Sequence, residues 1–176
     1  AEAKSDGSPV TEADERAEAV ILEFLAPTGI PVLGEESVAA GIIPQLGERY
    51  FVVDPLDGTR EFIKRNGEFT VNIALVEHGF PVMGVVLVPV TGEVFFGDAD
   101  GAEVWTVGEE AKKRKLAVDS GSPLRIVGSR SQGHAAMSEL CRRLPVEADV
   151  SVGSSLKFCL LARGDAALYP RLTPTC

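Results

Sequence analysis

The sequence predicts a layered α+β or α/β sandwich, with an antiparallel meander in its first half and a smaller α/β half after it. Three patterns carry that reading. Apolar residues recur at helical spacing over 11–25, short strand-like runs punctuated by glycine turns follow one another over 70–106, and strand-like and helix-like runs alternate beyond 120.

Thr11 to Leu25 carries Ala13, Ala17, Val20, Ile21, Phe24 and Leu25 at a spacing that stops before Pro27 and Gly29, which predicts an amphipathic helix. Ile30 to Leu33 reads as a short buried strand entering the acidic turn Gly34-Glu35-Glu36-Ser37, and a loop follows over 41–47. Tyr50 to Val53 is a second apolar strand; Pro55 has no N–H for a ladder and is expected to end it. Strands near 70–76, 82–88, 93–96 and 102–106 are separated by His78-Gly79, Thr91-Gly92 and Asp100-Gly101, turns that join antiparallel neighbours. Lys112-Lys113-Arg114-Lys115 reads as a solvated loop. A strand at 124–127, a helix over 133–144, a short strand near Val150, a helix over 154–162 and a strand over 166–169 complete the second half.

With 45% hydrophobic and 24% charged residues, the 176-residue chain can bury a sizeable core. Its formal net charge of -9 opposes binding to a nucleic-acid polymer, which depends on clustered Lys and Arg. A small anion is still compatible, provided that local positive charge or metal ions neutralise it. Cys141, Cys159 and Cys176 include no CxxC pair, so neither a disulfide framework nor a thiolate zinc site is expected, and a reducing cytoplasm fits best. The richest apolar stretch, Val82 to Val90, is too short for a membrane span and is interrupted by Gly84 and Pro89, so a soluble protein is expected, and the sequence leaves monomer and homodimer both open. The chain opens on Ala1, with a helical segment almost at once, and its start reads as trimmed.

Acidic residues stand at the ends of the apolar segments: Asp14 in the first helical turn, Glu35 and Glu36 after one strand, Asp54 and Asp57 after another. Loops beyond the C-terminal ends of strands converge in α/β sheets, so these carboxylates can meet. Packed together they repel, and a divalent cation is the usual remedy. Oxygen ligands in a chain with only two histidines favour a hard ion, Mg2+ or alternatively Mn2+, over zinc or copper. Paired ions of that kind suit in-line displacement at phosphorus. Taken singly, Thr11-x-x-Asp14 also reads as a helix cap and Gly34-Glu35-Glu36 as an ordinary acidic turn. Asp54-Pro55-Leu56-Asp57-Gly58-Thr59, directly after a buried strand, is more specific.

Gly34-Glu35-Glu36-Ser37 followed by Asp54-Pro55-Leu56-Asp57-Gly58-Thr59 resembles the paired signature of the inositol-monophosphatase superfamily of magnesium-dependent, lithium-sensitive sugar phosphatases. Three further blocks, 8–14, 60–74 and 153–159, resemble its bacterial bisphosphate nucleotidases. The resemblance implies the sugar-phosphatase layered fold, two or three Mg2+ ions, and removal of the 3'-phosphate from a small phosphorylated nucleotide of sulfur metabolism. It implies that Glu35, Asp54, Asp57, the Leu56 carbonyl and Asp14 hold metal, with Asp14, Thr59 and Glu36 acting on the attacking water. Gly58, Thr59, Ser129, Ser154, Lys157 and Arg171 would bind substrate. A helix start at Ser154 offers a hydroxyl and free amides to an anion, with Lys157 one turn on and Arg171 able to grip phosphate. The division that follows is an α+β metal-binding subdomain over 1–119 and a partial α/β substrate-binding subdomain over 120–176. Gly128-Ser129-Arg130-Ser131 resembles a Ser-Arg-Ser-His stretch of the family, but Gln132 and Gly133 intervene before His134. The family continues beyond its Pro-Thr, here Pro174-Thr175, into a Trp-Asp segment whose Asp is a metal ligand, and it has a helix before Lys4; the chain therefore reads as truncated at both ends.

Inositol monophosphate and fructose 1,6-bisphosphate are the alternative substrates within the superfamily. Ser154-Ser155-Leu156-Lys157 also matches the S-x-x-K pattern of serine acyl-transferases, without its companion motifs. A non-catalytic metal- or nucleotide-binding module is the third reading.

Overall fold

In a computed structural model of the chain, residues 2–3, 9–118, 124–129, 139, 142–144 and 146–171 are described. Two short strands, β1 (Glu2–Ala3) and β2 (Pro9–Val10), pair in front of helix α1 (Glu12–Leu25). A central seven-stranded sheet follows in sequential order: β3 (Val32–Gly34), β4 (Arg49–Asp57), β5 (Thr70–Glu77), β6 (Phe80–Val88), β7 (Glu93–Asp98), β8 (Gly101–Thr106) and the edge strand β9 (Arg114–Lys115). Only β3 and β4 are parallel; from β4 onward every neighbour is antiparallel. Helix α2 (Glu35–Ala39) lies between β3 and β4, and α3 (Thr59–Lys64) between β4 and β5. The second half holds the parallel pair β10 (Leu124–Ser129) and β11 (Val146–Val152), then helix α4 (Leu156–Arg163).

The meander forms because glycine can take the left-handed turn each hairpin needs: Gly79 at φ +82 and Gly92 at φ +72. Across the sheet Val86, Phe95 and Val104 are register partners, so they share one face. α4 packs on that face, and Val88, Phe95, Val104 and Cys159 form the buried core with Leu156 beside them. Burial there pushes the Cys159 thiol up to about 12, which leaves it un-ionised and inert. α1 lies against β4, where Phe51 and Val53 are buried.

The structure corrects several sequence expectations. Gly34-Glu35-Glu36-Ser37 is not a plain turn, because Glu35 starts α2. Pro55 does not end its strand: β4 runs on to Asp57 across a register irregularity. Residues 166–169 make a single parallel bridge, Ile126 to Leu168, in place of a strand. Part of the basic run, Arg114–Lys115, is an exposed edge strand on β8. In α1 the buried residues are Asp14 and Glu18, whereas Phe24 is 79% exposed. The helix is anchored by hydrogen bonds that its buried acids accept from Thr11, Thr59, Glu36 and Ser37. The expected helix over 133–144 falls mostly outside the described residues, as do Arg130, Ser131 and His134.

Candidate active site

The irregularity in β4 sets the geometry of the acidic loop. Asp54 pairs with Asn72 and Asp57 with Thr70, so three steps along β4 match two along β5. Residues three apart in a regular strand point to opposite faces; the extra residue resets the alternation and turns Asp54 and Asp57 to the same side. That is the side on which α4 packs, since Asn72 is the register partner of Val86. Pro55 costs the ladder nothing at such a bulge because it has no donor to lose.

Asp54 is crowded. Burial first, then the charges of Glu35 and Asp57 and a hydrogen bond with Glu35, push its carboxyl up to about 7. Asp57 is also raised, mainly by burial, against the opposing pull of the Ser155 amide, the Lys157 charge and a hydrogen bond from Asn72. Among the described residues no three carboxylate, imidazole or thiol groups converge closely enough to make a ready chelate. The centre is thus a hydrogen-bonded pair, Glu35 and Asp54, with Asp57 next to it. An all-oxygen set in which burial and neighbouring charge make a carboxylate costly to ionise suits a hard divalent cation, which would take the place of the proton.

Asp14 is 1% exposed and serves two neighbours at once. Its Oδ2 accepts from the Thr11 amide at 2.8 Å and the Thr11 hydroxyl at 2.6 Å, which is the helix-cap reading of Thr11-x-x-Asp14. Its Oδ1 accepts from the Thr59 hydroxyl at 3.1 Å, at the start of α3. That hydroxyl also lies 3.4 Å from the Leu56 carbonyl.

Glu18, one turn after Asp14, is 3% exposed and carries no signal in the motif. Its carboxylate accepts from the Glu36 amide at 2.8 Å, the Ser37 amide at 2.7 Å and the Ser37 hydroxyl at 2.5 Å. It therefore caps α2 from outside that helix and holds the first turn, which bears Glu35 and Glu36. Gly34 is glycine for the same reason: a Cβ there would lie 2.5 Å from the Glu18 carboxyl carbon. The i,i+4 spacing of Asp14 and Glu18 on one helix face was the available sequence signal.

The second half closes on this loop. Ser129 pairs with Val152 at the ends of β10 and β11, so the chain turns there into Gly153-Ser154. The side chain of Ser129 lies outside what is described. The expectation of free amides at the start of α4 is corrected, because Asp57 Oδ2 takes the Ser155 amide and the Ser154 hydroxyl takes the Leu156 amide at 3.2 Å. A buried chain of donors runs behind it: the Thr70 and Ser155 hydroxyls are 2.8 Å apart, and Ser155 donates to Asn72 Oδ1 at 2.7 Å. Sequence reasoning missed Thr70 and Asn72, which occupy inward positions on β5.

Lys157 is buried, at 8% exposed, and not a solvated surface cation. Its ammonium donates to the Ser154 carbonyl and sits 5.7 Å from the Tyr169 ring centroid. Burial lowers its pKa, while Asp57, Glu61 and Glu68 oppose that, and the nearby Arg171 charge adds to the lowering. Because Lys157 meets the carbonyl of Ser154 and not its hydroxyl, the pair lacks the nucleophile–base contact that an acyl-transferase needs. Arg171 is exposed.

Similarity to known proteins runs the length of the chain. The chain is 51% identical over 176 residues to the 3'(2'),5'-bisphosphate nucleotidase CysQ of Shigella flexneri, covering 98% of this chain and 70% of that protein. The nucleotidase of the same name from Salmonella typhimurium is 50% identical over 175 residues, with the same coverage. The crystal structure of CysQ from Bacteroides thetaiotaomicron superposes with a TM-score of 0.78 at 39% identity, covering 97% of this chain and 70% of that one. Fold and relatives together define an enzyme of the phosphoric monoester hydrolase class. The chain belongs to the inositol monophosphatase family, whose profile matches residues 1–176. Among the described residues no helix is long and apolar enough to cross a membrane.

The raised Asp54 carboxyl sets a pH dependence. An acid whose folded-state pKa lies above its unfolded value stabilises the fold below the unfolded pKa, and that stability is lost as pH rises through the folded one. The metal-free protein is therefore expected to lose thermal stability between about pH 4 and pH 7, and the gain from added Mg2+ to grow over the same window. Thermal midpoints with and without Mg2+ from pH 5 to 8 check this; a gain independent of pH would remove Asp54 from the ion's surroundings.

Proposed function

We propose that the chain is a Mg2+-dependent nucleotidase that converts adenosine 3',5'-bisphosphate to AMP and phosphate; that its relatives are named 3'(2'),5'-bisphosphate nucleotidases supports the substrate class. The observation that carries this reading is the crowding of Asp54 by Glu35 and Asp57 at the bulged end of β4, next to the Asp14–Thr59 pair. Glu35, Asp54, Asp57 and the Leu56 carbonyl would hold Mg2+, with Asp14 turned toward a further ion or the attacking water. A cation bound there would neutralise charge on the phosphoryl oxygens and acidify a water.

The remaining work falls to the chain. The Thr59 hydroxyl donates its hydrogen bond to Asp14, which leaves the oxygen lone pairs free to accept a hydrogen bond from the attacking water and aim it at phosphorus. Glu36 assists by taking a proton from that water. The water oxygen forms the new bond to phosphorus, the bond to the 3' oxygen breaks, and the leaving oxygen takes up a proton from solvent in balance with the one the attacking water gives up. Gly58, Ser129, Ser154, Lys157 and Arg171 bind the nucleotide. Lys157 is the cation amid Asp57, Glu61 and Glu68, so it offsets a field that would otherwise repel an anionic substrate.

Replacing it tests that role. Lys157→Ala is expected to raise KM about 30-fold while kcat changes less than about threefold. A fall in kcat at unchanged KM would reverse the assignment. The function itself is tested by phosphate release with Mg2+ from adenosine 3',5'-bisphosphate, inositol monophosphate and fructose 1,6-bisphosphate. The largest kcat/KM is expected for the nucleotide, and a larger value for either sugar phosphate overturns the substrate.

A further inference from the structure

Glu68, between α3 and β5, belongs to neither the acidic signature nor the expected substrate contacts. Its Oε2 accepts the Gly153 amide at 2.9 Å, across 85 residues of sequence. Its own peptide carbonyl is the floor on which both halves meet: a Cβ at Gly58 or at Gly153 would each come 3.1 Å from Glu68 O. At Gly153 that Cβ would also lie 2.6 Å from Glu61 Cγ. One residue thus seats a glycine of the carboxylate loop and a glycine of the α4 approach, and ties the second with its side chain.

What Gly153 precedes gives the tie its consequence. Ser154 is held at φ +50, a left-handed conformation that costs a non-glycine residue about 1–2 kcal/mol unless its surroundings impose it. On its far side the Ser155 amide reaches Asp57, and the Lys157 ammonium folds back to the Ser154 carbonyl. The Glu68 bond fixes this strained turn from the near side. Released at Gly153, Ser154 relaxes toward the right-handed region, and the Ser155 amide and Lys157 ammonium move with it.

We infer that Glu68 is a positioning residue: by accepting the Gly153 amide it sets the left-handed turn at Ser154 and thereby the placement of Lys157 for substrate. The inference rests on the phosphatase reading above. What matters is the acceptor oxygen, which glutamine retains and alanine lacks.

The test compares full-chain Glu68→Ala and Glu68→Gln by steady-state phosphate release from adenosine 3',5'-bisphosphate and by hydrogen–deuterium exchange. Glu68→Ala is expected to raise KM about tenfold with kcat within about threefold, and Glu68→Gln to stay within about twofold of the parent. Exchange should quicken over 153–160 in the alanine variant alone, with β5 and β6 protected as before. Unchanged exchange over 153–160 overturns the proposal, as does general deprotection of the sheet, which would mark Glu68 as merely structural. A glutamine variant as impaired as alanine also overturns it, since charge would then be the agent. If the parent protein releases no phosphate from the nucleotide, the functional reading fails, and the exchange result still decides whether Glu68 holds the turn.

Discussion

Asp57→Asn is expected to lower kcat for phosphate release roughly 1,000-fold while leaving the fold in place. Asp57 is one of the points where the two halves of the chain touch: its carboxylate takes the Ser155 amide, receives a hydrogen bond from Asn72 and faces the Lys157 charge. Asparagine is nearly isosteric and keeps one acceptor for the Ser155 amide, so the packing of α4 against β4 survives. It lacks the negative charge that a divalent cation needs and the second oxygen that could face it. Loss of turnover together with loss of the Mg2+-induced rise in thermal midpoint is the expected pairing. Turnover within tenfold of the parent would remove Asp57 from the metal-binding set.

Glu18→Ala is the second large effect, and it acts without touching the carboxylate cluster. Three hydrogen bonds to Glu36 and Ser37 vanish, leaving two amides at the start of α2 without their acceptor. The expected cost is about 3 kcal/mol, or roughly 8 °C in thermal midpoint for a chain of this size. The helix that frays carries Glu35, so affinity for Mg2+ should fall as well. Gly34→Ala should do similar damage from the other side, because its Cβ displaces the Glu18 carboxylate. Unchanged stability in both variants would show that the capping carboxylate contributes little.

Much of the fold was legible because its signals are local. Glycine turns at Gly79, Gly92 and Gly101 and the alternation between them specify the meander. Asp54, Asp57 and Thr59 were legible as a group because Pro55 and Gly58 punctuate a strand end. What could not be read depends on contacts distant in sequence. The bulge that turns Asp54 and Asp57 to one face is a property of the pairing with β5. Phe24 looks like core by periodicity, yet α1 is seated by Asp14 and Glu18, whose partners lie on α3 and α2. Free amides at the start of α4 were a reasonable reading of 153–157, but Asp57, nearly a hundred residues earlier, reaches the Ser155 amide.

The most direct measurement is anomalous diffraction from crystals soaked in Mn2+, which substitutes for Mg2+ in oxygen sites and scatters detectably. A peak shared by the carboxylates of Glu35, Asp54 and Asp57 is the predicted result. Peaks confined to other acidic residues, in crystals of protein that hydrolyses the nucleotide, would contradict the central claim that these three carboxylates form the metal centre.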